Sequence, residues 1–168
     1  MSQLDRFRSL LGMRQPDDRR QRRRLHARRG LRVLVVDDSR TIVAALSHML
    51  TQNGYETSSA EDAETALQMA SDDPPDLIFL DIVLPGMTGF TALRKLRRNR
   101  ATESVPVIMI SGNPQAVEEF YLKKIGADGF MKKPFGRYEV FSRIERLVGA
   151  GDLPARGTRD HEPDSAGE

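Results

Sequence analysis

Between residues 31 and 148 the chain alternates five short β-like runs with segments of helical periodicity, and this alternation restricts its fold more than any other feature. Successive βα units build a parallel sheet with helices packed on both faces. Residues 31–37, in the run LRVLVVDD, are almost continuously apolar, as expected of a strand buried on both faces. Ser39 is placed to cap the next helix, in which Ile42, Val43, Leu46, Met49 and Leu50 recur at helical spacing before Asn53-Gly54 ends it. Residues 55–59 form a weaker, more polar strand suited to a sheet edge. Residues 61–70 read as a helix with Ala63, Ala66, Leu67 and Ala70 on one face, closed by Pro74-Pro75. Residues 76–81 form the central strand, Pro85-Gly86 turns the chain, and Gly89 leads into a helix through Arg98. Residues 105–111 are a fourth strand, 114–125 a helix ended by Gly126, 129–132 a short fifth strand, and 138–148 a final amphipathic helix. The expected architecture is a doubly wound α/β sandwich with right-handed crossovers.

These runs carry polar groups at or just beyond their C-terminal ends. Asp37 and Asp38 end the first, Asp81 the third and Ser111 the fourth, while Lys133 follows the fifth. In an open parallel sheet those ends share one crevice, where ligands bind. Three carboxylates gathered there repel: at about 4 Å and an effective dielectric near 20, each pair costs on the order of 4 kcal/mol. Protonation of one, or a cation, resolves the conflict. Hard oxygen ligands favour Mg²⁺, which neutralises an incoming phosphoryl group while Asp81 attacks phosphorus to give an acyl phosphate. Lys133 suits a point-charge contact to that phosphate, and Ser111 a hydrogen bond to a phosphoryl oxygen, with Gly112 leaving the approach open. Asp37 and Asp38 have a plainer reading as caps of the following helix. Lys132 reads as a solvated lysine, because strand neighbours point to opposite faces.

Composition narrows the partners. The 168 residues contain no cysteine, which excludes disulfides, thiol catalysis and zinc-thiolate sites and fits a reducing compartment; a cytoplasmic location is expected. No apolar run approaches the roughly 18 residues of a membrane span, and no signal peptide is visible. The net charge of +2 conceals an asymmetry: residues 1–30 carry ten arginines against three aspartates, residues 31–148 are near neutral, and residues 149–168 are acidic. The basic balance therefore belongs to the arm and not to the domain. Leu4, Phe7, Leu10 and Leu11 lie at helical spacing, so the arm reads either as a short amphipathic helix with an arginine-rich linker or as a solvated extension. Without aromatics for stacking, its arginines bind nucleic acid at most without sequence preference. The expected organisation is an arm over 1–30, one domain over 31–148 and an acidic tail over 149–168, with no attached output domain. His26, His48 and His161 do not group into a metal site.

The pieces VLVVDDS, DLIFLDIVLPGMTGF, VPVIMISG and GADGFMKKPF, in that order and spacing, resemble the receiver domain of two-component response regulators over about residues 31–148. The resemblance implies a flavodoxin-like sheet of order 2-1-3-4-5, Asp81 as phosphoacceptor, and a Mg²⁺ site of Asp37, Asp38, Asp81 and the Val83 backbone carbonyl. It also implies Ser111 as the switch hydroxyl, Phe130 as its aromatic partner (a plain core aromatic being the competing reading) and Lys133 as the phosphate-contacting lysine. The Lys133-Pro134 bond accommodates the cis isomer. Positions two beyond the acceptor and the hydroxyl tune hydrolysis in this family. Here they are Val83 and Asn113, and apolar Val83 implies a persistent phosphoryl group.

The leading expectation is thus a stand-alone regulator that accepts phosphate from a histidine kinase or phosphotransfer protein. Its output would be binding of a partner through the surface of the fourth helix, fifth strand and fifth helix, including Glu118, Tyr121, Lys123 and Arg137. No catalysis is expected beyond its own phosphorylation and slow dephosphorylation. The competing readings are a phosphate sink, or a scaffold whose basic arm binds a partner, a membrane surface or nucleic acid. A haloacid-dehalogenase-type phosphatase needs a second acid two residues after its nucleophile, where this chain has Val83.

Overall fold

The structure is a computed structural model and describes residues 30–112 and 125–152. Its elements are β1 (Arg32–Val36), α1 (Arg40–Thr51), β2 (Glu56–Ala60), α2 (Ala63–Asp72), β3 (Leu77–Asp81), α3 (Gly89–Arg98), β4 (Val107–Ser111), β5 (Gly129–Lys132) and α4 (Arg137–Gly149). The strands form one parallel sheet of order β2-β1-β3-β4-β5. The helix expected over 114–125 lies outside the described residues, as do Asn113, the arm and most of the tail.

Burial explains the strand sequences. Every residue of β3 (LIFLD) and β4 (VIMIS) is buried, since helices cover both faces of the central strands. Edge strand β2 (ETSSA) buries only Ala60. Along β1, Val33 and Val35 join one core with Leu46, Leu50, Phe79, Ile110 and Ile144, on the α1 and α4 side. Leu34 and Val36 join the other with Ala66, Leu80, Ala92, Leu96 and Met109, on the α2 and α3 side. This is the two-residue alternation of a strand between two helical layers.

Element boundaries depart from the sequence expectation by one or two residues, for local reasons. The fourth strand begins at Val107 and not at 105, because Pro106 has no N–H to pair. Helix α2 begins at Ala63, since Asp62 is its cap and accepts from the Thr65 N–H at 2.7 Å. That backbone hydrogen bond holds the Asp62 carboxyl below its usual range. Strand β2 starts one residue late, at Glu56, and α4 begins and ends one residue outside 138–148. Ser39 does cap α1, accepting from the Ile42 N–H. Gly54, Gly86 and Gly126 all take positive φ at the turns assigned to them.

Candidate functional site

The acidic crevice is built from strand ends. The Asp37 N–H donates to the Ala60 carbonyl just past β1, and Asp81 is the last residue of β3. The Lys133 N–H donates to the Ser111 carbonyl at 2.8 Å, carrying the β4–β5 pairing one step beyond Lys132. Asp37 and Asp81 are buried, at 0% and 3% exposure, and Asp38 is exposed. Carboxylate oxygens of all three lie within 4.8 Å of one another.

Lys133 holds two of them together. Its Nζ stands 2.6 Å from Asp37 Oδ2 and 3.0 Å from Asp81 Oδ2. The outer oxygens meet backbone donors: Ser39 N–H reaches Asp37 Oδ1 at 2.9 Å, and Val83 N–H reaches Asp81 Oδ1 at 3.2 Å. Asp37 Oδ2 is close to the ammonium, yet no donor meets it with hydrogen-bond alignment. A buried carboxylate oxygen with an unfilled lone-pair direction, beside two further carboxylates, is a donor set that suits a hard divalent cation. The residues present therefore fit Mg²⁺.

Burial pushes the Asp81 carboxyl above its ordinary value; the Lys133 hydrogen bond opposes that shift and the Asp37 charge adds to it. For Lys133, burial favours the neutral amine, but the close carboxylates of Asp37 and Asp81 outweigh it and hold the ammonium above its ordinary value. A raised Asp81 means that the folded state binds this proton more readily than the unfolded state does. Its contribution to stability is therefore greatest below the unfolded value of 3.8 and is lost as pH rises through the raised folded value. At neutral pH the ionised Asp81 opposes folding. Asp81→Asn in metal-free buffer should then raise stability at pH 7 by about 0.5–2 kcal/mol, a gain that shrinks towards pH 4. Urea midpoints across that range measure it, and a lowered midpoint at pH 7 would contradict it.

The remaining sequence candidates take distinct places. Ser111 is buried at the end of β4, one position past the Asp81–Ile110 register pair. A Cβ on Gly112 would lie 3.7 Å from Lys133 Cδ, so that glycine borders the lysine stem. Phe130 is buried in the core on the α2 and α3 side, three residues before Lys133. Val83 is 65% exposed in the loop after Asp81. Lys132 is exposed at the end of β5. The Lys133-Pro134 peptide is cis. Arg137 is engaged with α1 and its own helix, donating to Gln52 Oε1 at 3.1 Å and lying 5.3 Å over the Phe141 ring. Glu118, Tyr121 and Lys123 lie outside the described residues.

Sequence reasoning missed one residue that shapes the site. The Gly89 N–H donates to the Ile82 carbonyl at 2.9 Å, and a Cβ there would fall 2.2 Å from the Asp81 carbonyl oxygen. A glycine eight residues after the candidate acceptor was the only signal, and by itself it read as a helix start.

A five-stranded parallel sheet of this order, with a lysine clamped between two buried aspartates beside a third, defines a flavodoxin-like domain with an acidic, cation-suited crevice at its strand ends. The family model for the response regulator receiver domain matches residues 33–145, and the chain belongs to that family of two-component signalling domains. Response regulator PleD of Caulobacter vibrioides is 40% identical over 117 residues, 70% of this chain and 26% of PleD. The chain thus spans about a quarter of that relative. Protein PilH of Pseudomonas aeruginosa is 35% identical over 70% of this chain and 97% of its own length. Among solved structures, the chemotaxis protein CheY4 of Vibrio cholerae superposes with a TM-score of 0.66 at 31% identity, covering 70% of this chain and 98% of CheY4. The receiver domain of the sensor histidine kinase PA1611 of Pseudomonas aeruginosa, solved with magnesium in its active-site cleft, has a TM-score of 0.65 at 27% identity over 71% of this chain and 98% of that one. Receiver domains bind Mg²⁺ at the acidic pocket and take phosphate from a histidine kinase or phosphotransfer protein.

Proposed function

We propose that Asp81 is the phosphoacceptor of this receiver domain. The observation that carries the reading is the Lys133 ammonium held between Asp37 and Asp81 within a three-carboxylate crevice. An Asp81 carboxylate oxygen attacks the phosphorus of a phosphohistidine; the P–N bond breaks, its electron pair stays on the imidazole, and an acyl phosphate remains on Asp81. Asp37, Asp38, Asp81 and the Val83 carbonyl would hold Mg²⁺, which when bound offsets the negative charge gathered on the transferred group. Lys133 leaves the Asp81 carboxylate to meet a phosphoryl oxygen, and Ser111 donates to another. Ser111 and Phe130 then act as the switch that alters the partner-binding surface.

The division into an arm over 1–30, a receiver over 31–148 and a tail over 149–168 belongs to the same proposal. So does readout by protein binding, for which PilH, matched over 97% of its length, supplies a relative with little beyond this domain. An exposed, apolar Val83 offers no group to orient water, which favours a slowly hydrolysed phosphoryl group and a signalling role over that of a rapidly draining sink.

Intact mass after incubation with acetyl phosphate and Mg²⁺ tests the reading. Wild type should gain one phosphoryl group, lost slowly after donor removal, and neither Asp81→Asn nor wild type without Mg²⁺ should gain any. Equal labelling of Asp81→Asn would move the acceptor elsewhere. Loss as fast as in the quickest chemotaxis regulators would remove the role given to Val83.

A further inference from the structure

Arg40 is the first residue of α1, and its charge is one the helix does not ask for. The N-terminal end of a helix is the positive end of its dipole, so a cation there is disfavoured, and α1 has no acid in that turn to offset it. Among the described residues Arg40 pairs with Glu61, just beyond β2, whose Oε1 accepts from Nε at 3.1 Å. Both side chains are largely exposed, at 88% and 62%, and an exposed pair of this kind contributes little to stability. The contact uses Nε alone and leaves the two Nη groups without a bond among the described residues.

The pair stands at the mouth of the acidic crevice. The Ser39 N–H donates to Asp37 Oδ1, and Arg40 is the next residue; the Ala60 carbonyl accepts from the Asp37 N–H, and Glu61 is the next residue. Strand alternation sets the reacting groups on the side of the sheet that α1 covers. Val35, Phe79 and Met131 belong to the core under α1 and α4, and Asp37, Asp81 and Lys133 each follow two residues later. Lys132 follows Phe130 onto the opposite side, and Arg137 is taken up by Gln52 and the Phe141 ring. Lys133 is 19% exposed and engaged with two carboxylates. Three carboxylates against one ammonium leave the crevice with a balance of −2, which Arg40 and Glu61 together do not alter. An anionic phosphodonor is repelled by such an opening unless a cation meets it there. Among the described residues flanking the crevice on that side, the accessible cation is Arg40.

We infer that Arg40 is a donor-binding residue: its guanidinium leaves Glu61 and meets the outward oxygens of a small acyl phosphate entering the crevice. The inference rests on Asp81 as phosphoacceptor. A guanidinium presents paired donors that match phosphoryl oxygens two at a time, and from the mouth of the crevice Lys133, held by Asp37 and Asp81, offers no such fork. As the Asp81 oxygen bonds to phosphorus, the P–O bond to the acyl carboxylate breaks, and its electron pair leaves with that carboxylate. Glu61 keeps Arg40 beside the crevice at rest and competes with the donor for it. Removing the two members of the pair therefore acts in opposite directions on the reaction. A salt bridge that merely tied α1 to the end of β2 would lose the same contact whichever partner was removed.

Labelling of the full chain by acetyl phosphate at saturating Mg²⁺, followed by intact mass, tests the inference. Arg40→Gln should label about three- to tenfold more slowly than wild type, Glu61→Gln at least about twofold faster, and Arg40→Lys at a rate between wild type and Arg40→Gln. Raised salt should shrink the advantage of wild type over Arg40→Gln, as screening of an exposed charge requires. Mg²⁺ affinity, measured by isothermal titration calorimetry, should be unchanged or higher in Arg40→Gln, because a cation has left the neighbourhood of the metal-binding carboxylates. Wild-type labelling by Arg40→Gln, Glu61→Gln slowed as much as Arg40→Gln, or weaker Mg²⁺ binding by Arg40→Gln would overturn the inference. The last two results would make the pair a strut between α1 and the end of β2. No labelling of wild type, or equal labelling of Asp81→Asn, would instead remove the acceptor on which the inference rests.

Discussion

Lys133→Met should destabilise the metal-free domain by about 3–5 kcal/mol at pH 7, the range observed when one partner of a buried ion pair is removed. The lysine side chain is 19% exposed, and its nitrogen lies within 3.0 Å of two carboxylates that are themselves almost wholly buried. Without it, Asp37 and Asp81 face each other with no counter-charge except what water or a metal provides. Two features of the site limit the loss. Asp81 already titrates above its ordinary value because it is buried, so the deficit of the variant should narrow as pH falls and Asp81 takes up its proton. A cation bound by the same oxygens takes over part of the role of the ammonium, so millimolar Mg²⁺ should recover part of the midpoint. In wild type the Lys133 contribution is fully present below 10.5 and is lost only as pH rises through its raised value, so alkaline titration should weaken wild type and leave the methionine variant nearly flat. Labelling by acetyl phosphate should fall on the order of 10²-fold, as for removal of one charge-stabilising donor. Unfolding in urea at three pH values, with and without Mg²⁺, measures all of this. A variant as stable as wild type at pH 7 would mean that the two carboxylates are not both ionised in the folded state.

The legible part of this site was the part written by strand ends. Asp37, Asp81 and Ser111 each close or follow a run whose continuous apolar character marks it as buried on both faces, Lys133 follows the short run GFMK, and a parallel sheet brings such ends together whatever the loops do. The weak, polar ETSSA run likewise declared itself an edge, and β2 is one. Less legible was anything decided by a single hydrogen bond or a single close approach. Whether α2 starts at Glu61 or Ala63 depends on which side chain reaches the Thr65 N–H, and Asp62 does. Phe130 is as buried as any core aromatic, so neither its spacing nor its burial separates a switch from plain packing. The Arg97 guanidinium clamps the carbonyls of Glu103, Val105 and Gly126 and the Asp128 carboxylate, the last two 29 and 31 positions away, and nothing in the run LRKLRR distinguishes that arginine from its solvated neighbours. Gly89 belongs to the same group: what it does depends on the backbone of β3, eight residues earlier.

Gly89→Ala should therefore be far more damaging than its position at a helix start suggests, destabilising by about 3 kcal/mol or more. The added methyl would lie 2.2 Å from the Asp81 carbonyl oxygen, 2.9 Å from Ile82 Cα and 3.0 Å from the Asp81 carbonyl carbon. All three are backbone atoms, and no rotamer change relieves the contact. Either α3 retreats or the end of β3 moves. Retreat of the helix lifts Ala92, Leu93 and Leu96 out of a core in which all three are buried. Movement of β3 carries the Asp81 carboxylate away from a lysine now 3.0 Å distant and opens the carboxylate cluster. Either route should reduce labelling by acetyl phosphate along with stability, and added Mg²⁺ should restore less than it does for Lys133→Met, because the ligands themselves have shifted. Gly149→Ala is the control. It sits in the last turn of α4, where a Cβ meets nothing within 4 Å, so alanine there should leave stability unchanged or raise it by up to about 1 kcal/mol. A Gly89→Ala protein that unfolds at the wild-type urea midpoint and labels at the wild-type rate would show that β3 and α3 do not approach this closely in solution. In that case the pairing of β3 with β4, Lys133 and the Val83 N–H would position Asp81 without help from α3.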